Sequence, residues 1–455
     1  MLNQVNMSAN IDLTKGSIKK GLIKFAFPLF LGNLFQQLYN TADSIIVGNF
    51  LGPLALASVS SSTPLIYLMI GFFQGIAIGA GVVISKSFGA RNKDELLKSI
   101  HTDLAFAICA GLFLTLFGVI FTPTILKLMK TPEDIMANSV EYFRIYSYGL
   151  VFSMLYNICN GIMNAVGDSK HPLYYLIVSS ITNVILDLLF VGVFKLGVWS
   201  VALATTISQA ISVILSLSRL FKGNEIFKVE LKRIKFDKKI LKDIIRFGLP
   251  AGVQNSVVGF ANIIVQTNVN TFSSVAVAGS GSYSKIEGFA FLPITCFALG
   301  LTTFIGQNLG AKQYDRAKEG AKFGFLCSIT LAELIGIIVF IFAPVFVSLF
   351  NDNPEVIYYG TRQARIESLF YFGLAFSHCI AGILRGSGKA TIPMIIMLSI
   401  WCIFRVTYLT VVLHFYHHVE VIYSVYPLTW SISSILFLIY FLKADWIHGL
   451  EKRRN

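Results

Sequence analysis

Apolar residues occur along the chain in long runs, which short polar segments separate. A helix that crosses the hydrocarbon core of a bilayer needs about 20 mostly apolar residues. The runs predict an all-α integral membrane protein with twelve transmembrane helices. These helices are expected near residues 21–50, 54–85, 101–126, 136–166, 171–193, 197–221, 243–272, 275–308, 317–348, 356–387, 390–414 and 419–442.

Short motifs occur twice, and the second copy follows the first by about 221 residues. The motif FAFP, which ends at Pro28, corresponds to FGLP, which ends at Pro250. SFGAR corresponds in the same way to NLGAK, and MNAVGDSKHP to LRGSGKATIP. A duplication in which each copy has an even number of spans predicts parallel repeats. We therefore expect two six-helix bundles related by pseudo-two-fold symmetry about the membrane normal.

The longest polar stretch of the chain runs from Lys222 to Lys242 and separates the two copies. It predicts an N-terminal bundle over 1–221, a cytoplasmic linker over 222–242, and a C-terminal bundle with a cytoplasmic tail over 243–455. Such a duplication favours a cavity between two halves that rock against each other, which is the usual geometry of alternating access.

Charged residues make up only 13% of the 455 residues, about half the share that is usual in a soluble domain. Most of the 37 Lys and Arg residues fall in alternate loops. The opposite loops contain only Lys127, Lys130 and Lys195. Cytoplasmic loops are the basic ones, so we predict a cell-membrane protein with both termini in the cytoplasm. This explains the net charge of +13 without nucleic acid, and no obligate protein partner is evident.

Two acidic residues inside predicted spans are the main candidates for function, because ionisable groups within a membrane are costly. Asp43 lies in the first helix and Asp187 in the fifth, at similar depths. The predicted neighbours are polar residues at matching depth on helices 1, 4, 5 and 6: Gln36, Asn160, Asn183 and Thr205.

Two adjacent carboxyl groups in a low-dielectric site permit three interpretations. They can share a proton, because burial and a neighbouring like charge both favour the protonated form. They can hold a hard cation, so that Asp43 and Asp187 would bind Na⁺ through oxygen ligands. The third interpretation is a structural hydrogen-bond network between helices.

The second half has no acidic residue at the positions that correspond to Asp43 and Asp187, so no equivalent acid pair is expected there. Glu287 either lines the substrate cavity or pairs with Lys285. The closeness of Glu367 to two arginines, Arg362 and Arg365, favours a structural ion pair. Aromatic faces can hold organic cations, and the further candidates for a substrate cavity are Tyr39, Asn40, Glu287, Asn255 and Gln266.

The repeated proline motif, the G-A-[RK] motif after helix 2 and the N-x-x-x-D motif of helix 5 together resemble the multidrug and toxic compound extrusion (MATE) family. The resemblance covers essentially the whole chain and implies a transporter and not an enzyme. It implies export of organic, often cationic compounds in exchange for Na⁺ or H⁺, with no cofactor besides that ion. The expected partners are therefore small organic cations and the lipid bilayer.

The resemblance is greatest to the DinF-like branch of that family. It implies that Asp43 and Asp187 are the coupling acids, and that Gln36, Asn160, Asn183 and Thr205 form a supporting network. The NorM-like branch has acids on helices 7 and 10, for which this chain has no clear equivalents.

Three other classes of membrane protein fit the sequence less well. A major-facilitator transporter would have a GxxxDRxGR-type loop after helix 2, where this chain has SFGARNKDE. A lipid-linked oligosaccharide flippase of the same superfamily is the nearest alternative, but it would line its cavity with Arg and Lys. A prenyl transferase would need a DDxxD motif, which does not occur, and no P-loop occurs for ATP.

Overall fold

The computed structural model of the protein describes residues 11–129, 131–222 and 227–448. These residues form helices and no β-strand. A helix satisfies its own backbone N–H and C=O groups, which hydrocarbon cannot do. The twelve helical stretches are α1 (Ile18–Ile46), α2 (Pro53–Gly89), α3 (Lys93–Leu128), α4 (133–165), α5 (Lys170–Val193), α6 (Trp199–Phe221), α7 (Lys238–Val269), α8 (Ser274–Gly310), α9 (Tyr314–Ser348), α10 (Pro354–Gly386), α11 (Thr391–Phe415) and α12 (Val419–Lys443).

Ten of these stretches are long and apolar enough to cross a membrane, counted over the described residues. The other two are α1 and α4. The second half of α1 carries many polar side chains, and α4 consists of two shorter helices, Glu133–Tyr148 and Leu150–Ala165, on either side of Gly149. The predicted all-α membrane fold with twelve helices is confirmed.

Several helices change their winding within the span. A π-helical turn, Val47–Leu51, continues α1, and α5 changes from α-helix to π-helix after Asp187. A third π-helical turn lies within α11, and a 3₁₀ turn, Ser368–Phe370, interrupts α10 directly after Glu367. Short π-helical turns inside helices frequently lie at functional sites, and here two of them follow the predicted acids Asp43 and Asp187.

The chain forms two compact units, and both α1 and α7 are divided between them. Unit 1 contains Leu31–Gly252 together with Ile11 and Asp12. Unit 2 contains Leu13–Phe30 and the described residues from Val253 onward. The boundaries predicted from the sequence, 1–221, 222–242 and 243–455, stay a prediction, and part of the predicted linker and tail lies outside the described residues.

Within unit 1, the first part of α7 crosses α2 at very short range through glycines. A side-chain carbon at Gly75 would overlap the backbone of Gly252, and one at Gly79 would overlap the backbone of Gly248. Small residues four apart on both helices allow such a close approach. In unit 2 the first part of α1 lies against α8 less closely, since a side-chain carbon at Gly300 would meet Phe25 and Ala26 in ordinary contact.

The repeated motifs form the same helix ends in both units. Arg91 ends α2 with a φ of 55°, and Lys312 ends α8 with a φ of 58°. The repeated glycines after α4 and α10 also match, with a φ of 86° at Gly167 and 77° at Gly388. A residue in this left-handed region lets the last turn of a helix satisfy its carbonyl groups. The duplication therefore extends to the backbone conformation.

The described part of the predicted linker packs on unit 1. Phe227 and Val229 are buried in the apolar cluster formed by the C-terminal parts of α2 and α4 and the N-terminal part of α3. The backbone N–H of Glu230 donates to His101 Nε2 at 3.1 Å, and that of Asp237 donates to Thr102 Oγ1 at 3.1 Å. Residues 227–237 thus run along the surface of α3 before α7 begins.

We predict that Gly79→Ala destabilises the protein, because its new methyl group would overlap the Gly248 backbone. Overpacking of this kind typically costs about 1–3 kcal/mol. Thermal unfolding of the purified protein in detergent should show a lower midpoint temperature. Gly81→Ala is the matched control, because a side-chain carbon at Gly81 meets nothing within 4 Å. Equal midpoints for the two variants would contradict the close crossing.

Candidate functional site

The site is built around Asp43 on α1 and Asp187 on α5, both in unit 1. Their carboxyl groups adjoin each other at hydrogen-bonding range. Asp187 is fully buried, and Asp43 is partly buried. The structure therefore brings together the two acids that the sequence singled out.

Three of the four carboxyl oxygens of this pair are buried without a hydrogen-bond donor among the described residues. Oδ1 of Asp43 and both carboxyl oxygens of Asp187 are buried without a hydrogen-bond partner. Two ionised carboxylates can only accept hydrogen bonds, so they cannot satisfy each other. A proton shared between them, or a cation bound by both, would supply the missing positive charge.

Asp168, another buried acid of unit 1, shows what a structural ion network looks like in this protein. Its carboxyl group lies 2.7 Å from His171 Nδ1 and 3.3 Å from Arg219 Nη2. Fixed basic partners thus hold Asp168. No such salt bridge reaches Asp43 or Asp187 among the described residues. This contrast favours a mobile positive partner for the Asp43–Asp187 pair over a purely structural role.

Amide and hydroxyl groups line the neighbouring helices as expected, although they form separate pairs. Asn183, one turn before Asp187, donates from Nδ2 to Thr205 Oγ1 at 3.5 Å, and its Oδ1 is buried without a partner. Asn160 on α4 accepts a 3.0 Å hydrogen bond from Asn164. The Asn183–Thr205 contact joins α5 to α6, while Asn160 bonds within its own helix.

The polar residues of α1 separate into two groups. Tyr39 is hydrogen-bonded to Gln36 and lies within electrostatic range of Asp43. Asn40, by contrast, is exposed, and among the described residues its side chain forms no hydrogen bond with the acid pair. Gln36 and Tyr39 therefore belong to the surroundings of the acids.

Two tyrosines of α4, which the sequence analysis did not select, also face the acids. Tyr142 is 5% exposed and lies within electrostatic range of both Asp43 and Asp187. Tyr146, one turn later, is hydrogen-bonded to Gln209 of α6 and lies near Tyr39 and Asp43. Their i, i+4 spacing puts them on one face of α4, but this spacing alone does not tell whether that face points to the acids. They give the site aromatic faces in addition to its acidic groups.

In unit 2, the predicted cavity residues do not form one cluster. Gln266 is exposed and donates to Asn270, directly after the end of α7, at 2.9 Å. Asn255 is only half-buried, one residue after Gln254, which contacts Met397 Sδ. Glu287 lies elsewhere, on α8, and among the described residues it forms no ion pair with Lys285.

The prediction that Glu367 forms an ion pair with its neighbouring arginines is wrong. Arg362 Nε instead lies 3.2 Å from Glu420 Oε1, and the Arg365 guanidinium lies over the ring of Phe340. Glu367 faces the opposite side of α10 and is fully buried. Residues two and five positions before it on a helix point in other directions.

The second half has no acids at the positions that correspond to Asp43 and Asp187, but it contains an acid pair elsewhere, which the sequence analysis did not predict. The carboxyl group of Glu367 adjoins that of Glu287. The two residues lie on α8 and α10, and neither occupies a position that corresponds to Asp43 or Asp187. A comparison of corresponding positions therefore could not reveal them.

The MatE family model matches the chain twice, over residues 28–189 and 250–410. The chain belongs to the MatE family. The two matched segments coincide with the two sequence copies, so the family repeat and the internal duplication are the same feature. The family is one of transporters and not of enzymes.

Similar MatE proteins extend over most of the chain. It is 31% identical over 438 residues to the "probable multidrug resistance protein YoeA" of Bacillus subtilis (strain 168), covering 94% of both chains. It is 23% identical to the "multidrug export protein MepA" of Staphylococcus aureus (strain MSSA476), covering 82% of this chain and 83% of that one. A solved structure of "MATE in complex with MaL6" has a TM-score of 0.91 at 22% identity and covers 98% of this chain and 100% of that one. The assignment to the DinF-like branch stays a prediction.

We predict that Asp187→Asn stabilises this MatE protein at alkaline pH. The amide replaces one of two repelling carboxylates and can donate a hydrogen bond to Asp43. The same substitution at Asp168 should destabilise the protein, because it removes a buried charge from its basic partners, which typically costs about 3–5 kcal/mol. Midpoints of thermal unfolding, measured across a pH series, test both signs. A fall in stability for both variants would contradict the unsatisfied acid pair.

Proposed function

We propose that this MatE protein is a secondary antiporter that exports organic, often cationic compounds in exchange for Na⁺ or H⁺. The observation that supports this proposal most is the Asp43–Asp187 pair, whose buried oxygens lack partners. The transporter would lie in the cell membrane with both termini in the cytoplasm, as the distribution of basic residues favours. Its transport would use the rocking-type alternating access that the duplication predicts.

The acid pair can couple an ion to a conformational change because its charge state alters its energy strongly. Two carboxylates close together in a low-dielectric site repel each other, and this repulsion disappears when a proton or Na⁺ binds. A ligand shifts a conformational equilibrium only by its different affinity for the two states. The coupling ion would therefore stabilise the state in which Asp43 and Asp187 adjoin, and the exported compound would favour the other state.

An organic cation fits the surroundings of the pair better than an anion would. The site has acidic groups and the aromatic rings of Tyr39, Tyr142 and Tyr146. Aromatic faces attract cations, and this attraction is stronger when the cation is desolvated. The names of the relatives, a probable multidrug resistance protein and a multidrug export protein, agree with a broad range of exported compounds.

We predict that Asp43→Asn and Asp187→Asn each abolish most of the ion-driven efflux. A neutral amide can neither bind and release a proton nor balance the charge of a bound Na⁺. Proteoliposomes loaded with a fluorescent organic cation give the measurement, with Na⁺ and pH gradients imposed separately. The rate should fall at least about tenfold, which corresponds to about 1.4 kcal/mol of lost coupling.

Asp94→Asn is the charge-matched control, because the Asp94 side chain is 92% exposed at the start of α3. It should keep the wild-type rate. Full gradient-driven efflux by either variant of the acid pair would overturn the coupling role. In the wild-type protein, the gradient that drives efflux identifies the coupling ion.

A further inference from the structure

An open pocket of about 410 Å³ lies at one end of unit 2, where α8 and α10 begin. Pockets that bind drug-sized molecules typically measure about 300–1,000 Å³, so this one is large enough for a small organic molecule. Its lining consists of Ser273, Val275, Pro354, Glu355, Tyr358 and Tyr359.

The two helix starts that form the pocket are held together tightly. A side-chain carbon at Gly279 of α8 would lie 2.7 Å from Tyr359 Cβ and 2.8 Å from the backbone nitrogen of Gly360. Ser273 Oγ accepts a backbone N–H of α8 at 3.3 Å, and Asn353 Oδ1 accepts a backbone N–H of α10 at 2.9 Å. The walls of the pocket are therefore in place before a ligand binds.

Two tyrosine rings form an aromatic corner in the pocket. The ring centroids of Tyr358 and Tyr359 lie 5.5 Å apart, and the ring planes meet at 78°. Tyr359 packs with Phe272 and Tyr423 in an apolar cluster, which fixes the position of its ring. The Tyr358 side chain is 58% exposed. Two rings at nearly a right angle can contact two sides of one bound group, and aromatic faces attract cations.

Glu355 provides the charge of the pocket. It lies one turn before Tyr358 and Tyr359 on α10, on the same face of the helix, and it is exposed. Among the described residues no ion pair holds its carboxylate group. Arg362, one turn after the tyrosines, pairs instead with Glu420 at 3.2 Å, so that those two charges balance. The charge of Glu355 therefore remains available to a ligand.

The corresponding end of unit 1 has the same acid but not the aromatic corner. The motif TPE, which ends at Glu133, corresponds to NPE, which ends at Glu355. Three and four residues after Glu133 the chain has Met136 and Ala137, where unit 2 has its two tyrosines. A helix can thus begin at this motif without tyrosines, which favours a role for them in binding.

We propose that this pocket of unit 2 binds a monovalent organic cation with a compact, branched head, such as a quaternary ammonium group. The rings of Tyr358 and Tyr359 contact the cationic head, and Glu355 balances its charge. The binding does not rest on the coupling role proposed for Asp43 and Asp187. Only the side of the membrane that the pocket faces, the outside, rests on the orientation proposed above.

A cation fits this pocket better than an anion, although two helices begin here. The start of a helix favours anions through its free N–H groups. In this pocket the side chains of Ser273 and Asn353 occupy N–H groups at both helix starts, and Glu355 places a full negative charge in the first turn of α10. An anion would be repelled by that charge.

Tyr358→Trp tests the proposal, because tryptophan offers the best aromatic face for a cation and its fluorescence reports on this position. The full-length protein in detergent is titrated with choline, with neohexanol, its neutral analogue with a tert-butyl group, and with tert-butylacetic acid at neutral pH, its anionic analogue. Choline should cause a saturable change in emission that the wild-type protein lacks. The two analogues should cause no saturable change at the same concentrations.

Glu355→Gln, combined with Tyr358→Trp, should weaken choline binding about fivefold, the effect of one unit charge at about 4 Å in water. Glu133→Gln in the same background is the matched control, because Glu133 is the exposed acid at the corresponding position of unit 1. It should leave the affinity unchanged. An unchanged affinity with Glu355→Gln, or an equal response to the anionic analogue, would overturn the proposal.

A further variant separates this pocket from the first acid pair. With Asp43→Asn and Asp187→Asn added to Tyr358→Trp, the response to choline should stay the same, whether or not those acids couple an ion to transport. Loss of the response in this variant would count against the pocket, because choline would then act on the reporter from the first acid pair.

Discussion

The lack of hydrogen-bonding solvent around the spans is the constraint on which the rest of this structure depends. It requires that each helix satisfy its own backbone, and the repeated left-handed residues at Arg91, Lys312, Gly167 and Gly388 complete the helix ends in both units. The same constraint makes a buried acid costly unless it has a partner. Acids in this protein therefore divide into those with fixed basic partners and those without them.

Asp168 belongs to the first kind, and the pairs Asp43–Asp187 and Glu287–Glu367 belong to the second. Each pair joins two helices of a single unit, yet the pairs do not occupy corresponding positions in the two sequence copies. The duplicated backbone has thus been kept while its polar interior has diverged. Two helix bundles with similar backbones and different buried polar side chains are expected where packing determines the backbone and only a few side chains carry the chemistry.

Most of the fold could be predicted from the sequence, because the length of apolar runs and the repeated motifs report directly on spans and duplication. The approach of Asp43 to Asp187 could also be predicted, since depth along a helix follows from residue number. The partner of Glu367 could not. Its nearest basic residues in sequence point elsewhere, and Glu287 lies on another helix with no motif in common. Likewise, periodicity alone does not tell which tyrosines of α4 face the acids rather than lipid.

The division of α1 and α7 gives the duplication a consequence for how such a protein can be assembled. Pro28 and Pro250 each lie three residues before the first residue that belongs to the other unit, Leu31 and Val253. Each unit thus takes its first helical segment from the opposite half of the sequence. A polypeptide of half the length would lack one helical segment of its unit. Two such polypeptides together would contain all segments, because the first part of α1 belongs to unit 2 and the first part of α7 belongs to unit 1. Each sequence copy therefore contributes one helical segment to the unit that the other copy mostly forms.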